Sequence, residues 1–212
     1  MTDPTVAAPV LPDNPSAFLT VSLSEIEAMA KKASRGAGFS WGMAEEAAFA
    51  TRWLAAHRLP GPETLVSLLR SIPTEEHCPL TIGVWIADRA QSLVGGEAIA
   101  IDSVDAPVML LPFLAQVARR HDCPVRIDDI VVTGEGVTEQ GLEMLAVIPQ
   151  AAVDIAIAKG RPSCDARSAT AGGYPVAIEV WEGLDGFAKQ TYVPASEASR
   201  TAGAGAGLTD ND

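Results

Sequence analysis

Three successive helix patterns in the first third of the chain constrain its fold more than any other feature. The first pattern is the clearest, because Ser22 and Glu25 form a capping box and Val21 with Ile26 supplies a hydrophobic staple around it. Apolar side chains then recur at helical spacing until Gly36 ends the run. The sequence therefore predicts an amphipathic helix that buries one face.

Two further helices are predicted after this one. Ser40 is typical of an N-cap, and the helix that it opens stops before Pro60. The third helix begins at Pro62 or Glu63, presents leucines on one face and ends at Pro73. Short connections between the three helices predict a small helical layer.

After Pro79 the sequence favours strands. Strands are predicted at 80–86, 98–101, 152–157 and 176–181, and β-branched residues are frequent in 125–132. One longer apolar segment, 107–120, predicts a helix. Helices followed by a strand-rich remainder indicate an α+β fold, with three short helices first and then a mixed sheet with one or two further helices. An α/β fold is the alternative.

The chain divides into three segments by composition. Residues 1–19 are proline-rich, lack periodicity and are expected to form a flexible leader. Residues 20–200 are expected to form a single globular domain, helical over 20–73 and sheet-containing over 79–200. Residues 201–212 alternate glycine with alanine and then become acidic, so they have little apolar surface to bury.

Composition limits the classes of partner and the compartment. The net charge of −12 repels phosphate backbones and anionic lipids, so neither nucleic acid nor a membrane surface is expected as a partner. The N-terminus does not have the pattern of a signal peptide, and no apolar stretch is long enough to cross a bilayer. The three cysteines lack CxxC spacing. Together these features favour a cytoplasmic protein with reduced thiols. Self-association into a homo-oligomer is left open.

The sequence lacks the common motifs for nucleotide binding and for catalytic metal binding. No GxGxxG stands between a strand and a helix, and no Walker, GxSxG or HExxH motif occurs, so no cofactor is predicted. Two His-Cys pairs, 77–78 and 121–123, suggest a zinc site or an activated thiol. Adjacent residues on an extended chain point to opposite faces, which favours core cysteines, and no metal site is predicted.

The start of the second helix is the first candidate site. Backbone amides near Ser40 lie at the positive end of that helix, where they can bind an anion. Glu45 and Glu46 follow within two turns, and they can act as acid and base where burial separates their pKa values. The alternative for all three residues is ordinary capping of a helix.

The loop around residues 159–168 is the second candidate site. Arg161 and Arg167 can hold a carboxylate or phosphate in a fork, and the cations would lower the pKa of Cys164, a candidate nucleophile. The alternative is an exposed loop whose charges serve solubility.

The C-terminal region supplies the last candidates. Ser196 is a candidate nucleophile and Arg200 a candidate substrate-binding group, and both are expected on one face of a short helix after Pro194. Beyond them, backbone amides at Gly203, Gly205 and Gly207 could approach an anion or another chain. A slack terminus is the alternative.

Two stretches resemble a known family. The run VSLSEIEAMAKKASRGAGFSWGMAEEA at 21–47 is similar to bacterial proteins of the domain-of-unknown-function family 3726. The closing TYVPASEASR at 191–200 and the terminal AGAGLTDND resemble the same family, so the resemblance covers the chain from about residue 20 onward. It implies no particular reaction, because the family carries no assigned activity.

Two hypotheses of function follow from these residues. In the first, the protein is a small cofactor-independent enzyme acting on a polar or anionic metabolite, with Arg200 binding a carboxylate, Glu45 or Glu46 moving a proton, and Cys164 or Ser196 as nucleophile. In the second, it is a non-catalytic accessory subunit whose C-terminal tail docks on a partner protein.

Overall fold

The structure, a computed structural model, describes residues 17–158, 166–170 and 172–191. In chain order the described elements are β1 (Phe18–Val21), α1 (Leu23–Gly36), α2 (Trp41–Ala56), α3 (Gly61–Ser71), α4 (Pro79–Asp88), α5 (Ala90–Val94), β2 (Ile99–Asp105), a 3-10 helix (Pro107–Leu110), α6 (Leu111–His121), β3 (Val125–Ile127), β4 (Ile130–Val132), β5 (Gly136–Thr138), α7 (Leu142–Val147), β6 (Gln150–Ile157), β7 (Ala166–Ser168), β8 (Tyr174–Ala177), α8 (Ile178–Ala188) and a second 3-10 helix (Lys189–Thr191). Strand β1 begins inside the stretch predicted as a leader, whose residues 1–16 lie outside the described part, as does the predicted tail 201–212.

The three N-terminal helices are confirmed. The Ser22 backbone N–H donates to Glu25 Oε2 at 2.9 Å, and the Glu25 N–H donates to Ser22 Oγ at 3.2 Å, which completes the predicted capping box of α1. Ser40 caps α2 by accepting a hydrogen bond from the Met43 N–H at 3.3 Å. Each of these bonds satisfies a backbone donor that the helix start leaves unpaired.

The predicted strand at 80–86 is wrong, because this segment forms α4. An apolar run of seven residues does not distinguish a buried helix from a buried strand by its pattern alone. In the helix, Leu80, Gly83 and Ile86 follow one another at three-residue spacing, and all three are buried. A Cβ at position 83 would overlap the Phe113 ring of α6, so this glycine allows the two helices to approach closely.

The predicted strand at 176–181 is half correct. Residues 176 and 177 belong to β8, but the chain turns into α8 at Ile178. Five helices follow α3 in the described part of the chain, more than the one or two expected. The strands predicted at 98–101 and 152–157 and the helix predicted at 107–120 are confirmed with small shifts in their ends.

The described strands form two sheets. Six strands lie in the order β2-β6-β3-β4-β5-β7, and β1 pairs with β8 in a separate two-stranded ribbon. All of these pairings are antiparallel, where a mixed sheet was expected. The β3–β4 hairpin turns at Asp128 and Asp129, the acidic pair within the β-branched segment. Helices concentrated in one part of the chain and an antiparallel sheet in another make the fold α+β, as predicted.

Alanines allow the helices to pack closely around α2. Four alanines of this helix are fully buried or nearly so: Ala44, Ala47, Ala48 and Ala50. Because their side chains are small, the α2 backbone lies close to its neighbours, which include α1, α3 and α6. The main core then continues from this helical layer to the inner side chains of the six-stranded sheet, such as Val125 and Ile155.

A partly buried acid–phenol pair joins α3 to the ribbon. Tyr174 Oη of β8 donates to Glu63 Oε2 at 3.3 Å. Burial raises the pKa of the Glu63 carboxyl, and burial together with the Glu63 charge raises the pKa of Tyr174. Tyr174 is also part of a small apolar cluster with Val21 and Ile26, so the pair fixes β8 against the first helices.

Candidate functional site

A cavity of about 470 Å³ opens where α2 and α6 meet the edge of the sheet. Along α2 the lining residues recur at helical spacing, from Phe49 through Arg52 and Trp53 to His57. The lining residues of α6 recur in the same way, with Ala115 and Gln116 followed by Arg119. The turn between β4 and β5 and the residues after β7 close the remaining sides. Two helix faces, rather than a loop, therefore position the side chains.

The wall of the cavity is half apolar and half polar. Its apolar side chains are Leu23, Phe49, Trp53, Ala56, Pro112, Ala115 and Ala169. Its polar side chains are Arg52, His57, Gln116, Arg119, Glu135 and Thr170. Ligand sites commonly combine such an apolar surface with a few polar groups, and they have volumes of roughly 300–1,000 Å³.

His57 is the buried titratable group of the cavity. It follows the last residue of α2 and is 3% exposed. Its ring stacks on Trp53 at a centroid distance of 3.7 Å, and Nδ1 lies 2.8 Å from the Trp53 backbone oxygen. The backbone of Glu135 lies near the ring and, like the Trp53 oxygen, raises the pKa of His57. Burial is the strongest influence and lowers the pKa of His57, and the nearby Arg167 charge lowers it further.

Two arginines bring positive charge to the solvent side of the cavity. Arg52 of α2 lies 3.3 Å from Glu27 of α1, an ion pair that is half exposed. Arg119 of α6 is exposed and forms no ion pair with any residue that the structure describes. Its backbone packs directly against Gly134, where a Cβ would overlap it. The charged side chains of the lining are thus two arginines and one glutamate, Glu135, on a protein with a net charge of −12.

The chain after β7 is fixed to the end of α2. The Thr170 N–H donates to the Ala56 oxygen at 2.8 Å, and Thr170 Oγ1 donates to the same oxygen at 3.1 Å. Arg58 has a positive φ of 58° and donates through Nη1 to the Gly173 oxygen at 2.9 Å. These bonds satisfy a carbonyl that the helix end leaves unpaired, and they hold one wall of the cavity in place.

Ser40, Glu45 and Glu46 lie at the other end of α2, away from the cavity. Ser40 is the N-cap, and Glu45 pairs with Lys31 at 2.7 Å on the surface. Burial raises the pKa of Glu46, with smaller contributions from the charges of Glu45 and Asp88. The anion-binding and acid–base roles of these residues stay predictions.

Arg167 is the predicted site residue that lies near the cavity. It is half-buried in β7, 3.4 Å from Glu139, and its Nη1 donates to the Arg58 oxygen at 3.5 Å. About 18 residues of helix and cap separate Ser40 from Arg58, a distance on the order of 25 Å. The structure therefore does not bring Arg167 together with the start of α2.

The other predicted site residues lie outside the described part of the chain. They are Arg161, Cys164, Ser196, Arg200, Gly203, Gly205 and Gly207. Their proposed roles in catalysis, in substrate binding and in the docking of the C-terminal tail stay predictions.

The cavity itself was missed in the sequence. His57 lies four residues after Trp53, so both fall on one face of the second helix, and this was a readable signal. The sequence did not predict that this face of α2 lies next to Arg119, because that depends on how α6 crosses α2. Contacts between residues so far apart in the chain are set by packing, which periodicity within one helix does not encode.

The two described cysteines are poor candidates for a nucleophile. Cys78 is buried in the core beneath α4. Burial and the neighbouring Asp122 charge raise the pKa of Cys123, which keeps its thiol protonated. Among the described residues, no group of three or more histidine, cysteine or acidic side chains is arranged to hold a metal ion.

The comparisons with known proteins concern the N-terminal part of the chain. A family model described as a protein of unknown function (DUF3726) matches residues 21–104, a range that includes the run at 21–47 and six cavity residues, from Leu23 to His57. The resemblance of 191–200 and of the terminal residues lies beyond the match. No curated protein and no solved structure matches the chain. No described helix combines the length and apolar character needed to span a bilayer. Residues 21–104 are therefore similar to the DUF3726 family of proteins of unknown function.

Proposed function

We propose that this protein binds a small organic anion, a carboxylate with an apolar body, in the cavity between α2 and α6. The observation that carries the proposal is the composition of that cavity: Arg52 and Arg119 on its solvent side, His57 within it, and an aromatic wall behind them. This keeps the polar or anionic metabolite predicted from the sequence, but it moves the site from the start of α2 to its end.

Electrostatics support an anionic ligand. The protein as a whole repels anions, so a cavity that bound neutral molecules would gain nothing from two arginines on its lining. A guanidinium matches the two oxygens of a carboxylate, and a hydrogen bond to a charged group contributes about 1.5–3 kcal/mol. Arg119 is available for this contact, since it has no acidic partner in the described structure.

The apolar wall supports a ligand with a hydrocarbon or aromatic part. Phe49 and Trp53 lie on successive turns of α2 and both line the cavity. Aromatic side chains contribute large contact areas at low entropic cost, and they stack on planar groups. A fully hydrated inorganic anion would leave this surface unused, so benzoate is a better probe than phosphate.

His57 is the cavity residue best suited to exchange a proton with a bound molecule. Its ordinary pKa lies near neutrality, burial lowers it, and the ring is then a neutral base under physiological conditions. If the anion is a substrate, we propose proton transfer at His57 as the protein's part in the reaction.

The location proposed for this activity is the cytoplasm, because Cys78 and Cys123 are unpaired.

Thermal denaturation with a panel of small molecules tests the proposal. We expect benzoate at saturating concentration to raise the melting temperature by about 2–4 °C, and neutral benzamide to have no such effect. Arg119→Gln should weaken benzoate binding about tenfold, the loss of roughly 1.4 kcal/mol. The control is Arg120→Gln, which removes an exposed charge from the next position of α6 without touching the cavity.

Two results would contradict the proposal. One is equal stabilisation by benzoate and benzamide, which would mean that charge has no part in recognition. The other is a melting temperature that no molecule of the panel changes, together with the loss of a co-purifying partner protein when residues 201–212 are deleted. That second result would favour the accessory-subunit hypothesis instead.

A further inference from the structure

Two features close to the His57 ring favour its protonated form. The Trp53 oxygen lies 2.8 Å from Nδ1, and the backbone of Glu135 near the ring also raises the pKa of His57. A neutral imidazole has one N–H to donate, whereas the imidazolium ion has two. The Trp53 ring stacked at 3.7 Å also favours a cation over its face. The local geometry is therefore prepared for a second proton.

The charges around His57 have the opposite effect. Several elements place charged groups around the His57 ring. They are α2 and the residue after its cap, α6, the β4–β5 turn, the loop after β5, and β7. The charged groups are Arg52, Arg58, Arg119, Glu135, Glu139 and Arg167. Arg52 and Arg167 are paired with acids, and Glu139 is the partner of Arg167. Arg119 has no acidic partner among the described residues, and Glu135 is exposed. With the cavity empty, the balance of burial and cations keeps the ring neutral.

A bound carboxylate would change this balance. Its charge would enter the cavity that His57 lines, and it would replace water there with a low-dielectric, negatively charged ligand. An opposite charge within about 4–6 Å favours the charged form of a histidine. The hydrogen bond between Nδ1 and the Trp53 oxygen is compatible with both protonation states, so protonation of the other ring nitrogen leaves it intact.

We propose that carboxylate binding in this cavity is coupled to protonation of His57, so that the protein takes up a proton together with its anionic ligand. The proton comes from solvent and binds to the free ring nitrogen, and no other bond is made or broken. The inference rests on the proposed function and adds its regulation: the affinity for the anion rises as the pH falls towards the ordinary range of histidine. Under more acidic conditions, where the empty site is already protonated, the coupling disappears.

Isothermal titration calorimetry with benzoate measures the coupling. The full chain is titrated near pH 7, a little above the ordinary histidine pKa of about 6.5, in Bis-Tris chloride and in Tris chloride. These cationic buffers do not compete for an anion site, and they differ in ionisation enthalpy. We expect the observed enthalpies to differ by an amount that corresponds to uptake of about 0.5–1 proton per benzoate. His57→Gln should abolish the difference, and His121→Gln, at the end of α6 outside the cavity, should retain it.

A second measurement on the unaltered protein guards against a misfolded variant. The imidazole resonances of His57, followed by nuclear magnetic resonance at constant pH, should move towards the imidazolium position as benzoate is added. Benzoate binding with identical enthalpies in the two buffers and no movement of these resonances would overturn the inference while leaving the proposed function intact. Proton uptake that persists in His57→Gln would overturn the assignment to this residue. Absence of benzoate binding would overturn the proposed function itself.

Discussion

At the scale of single residues, burial of polar side chains separates structural from functional positions. Tyr174 is buried and Glu63 is half-buried, and they hydrogen-bond to each other, so the cost of burying them and their bond both concern folding. His57 is buried as well, but its ring lines a cavity, and its hydrogen bond to the Trp53 oxygen uses one ring nitrogen and leaves the other to exchange a proton. This difference, rather than burial alone, makes His57 the functional candidate.

The Glu63–Tyr174 pair predicts the effect of removing each partner. Tyr174→Phe takes away the donor and leaves the carboxylate buried, so we expect a loss of about 1–2 kcal/mol in the free energy of unfolding near neutral pH. Glu63→Gln keeps an acceptor for the phenol and removes the buried charge, so it should be at least as stable as the unaltered protein. Urea denaturation measures both.

The pH dependence of this pair follows from the sign of the shift. The pKa of Glu63 is raised above its ordinary value of 4.5, so the folded protein holds the proton more tightly than the unfolded chain. The stability that this contributes is present below pH 4.5 and is lost as the pH rises through the raised pKa. Glu63→Gln should flatten that part of the profile. A Tyr174→Phe variant as stable as the unaltered protein would contradict the account.

At the scale of elements, α1 and α8 are joined by a contact that allows no side chain. A Cβ at Gly36, the last residue of α1, would overlap the backbone carbonyl of Phe187 in α8. Backbone cannot move aside as a flexible side chain can, so α8 would have to leave its position. The end of α8 also carries Ala188, which is buried, and its loss from the core would add to the cost.

Alanine substitution of two glycines tests this contact. We expect Gly36→Ala to lower the free energy of unfolding by about 2–3 kcal/mol, the range for overpacking. The matched control is Gly42→Ala in α2, where a Cβ has open space and the better helix propensity of alanine should stabilise by up to about 1 kcal/mol. Chemical denaturation of the two variants provides the comparison, and equal stability of both would show that α8 does not pack on Gly36.

The elements also show how far sequence reasoning reached. The starts of α1 and α2 were predictable because Ser22 and Ser40 bond to backbone within their own turns, so the signal is local. The start and end of the helix over 80–86 were not, because its helical state depends on packing against α6, the first 3-10 helix and β2, which overrides the preference of β-branched residues for strands. Arg167 was predicted, with Arg161, to hold a carboxylate or phosphate, and this role stays a prediction. Its neighbours Arg58 and Glu139 come from other parts of the chain.

At the scale of the whole molecule, the cavity is a product of how the two halves of the sequence meet. The helical half supplies Arg52, Trp53 and His57, and the sheet-containing half supplies Arg119 and Thr170. The family match ends at residue 104, so it covers one wall of the cavity and leaves the other outside. A ligand that contacts both walls would be recognised only by the assembled fold.

The crystal structure of the full chain grown with benzoate tests this account most directly. We predict that the carboxylate lies against the Arg119 guanidinium on the solvent side of the cavity, with the ring towards Trp53 and Phe49 and the carboxylate charge near His57. A cavity that stays empty while benzoate occupies another surface, or a benzoate whose carboxylate points away from both arginines, would contradict the central claim.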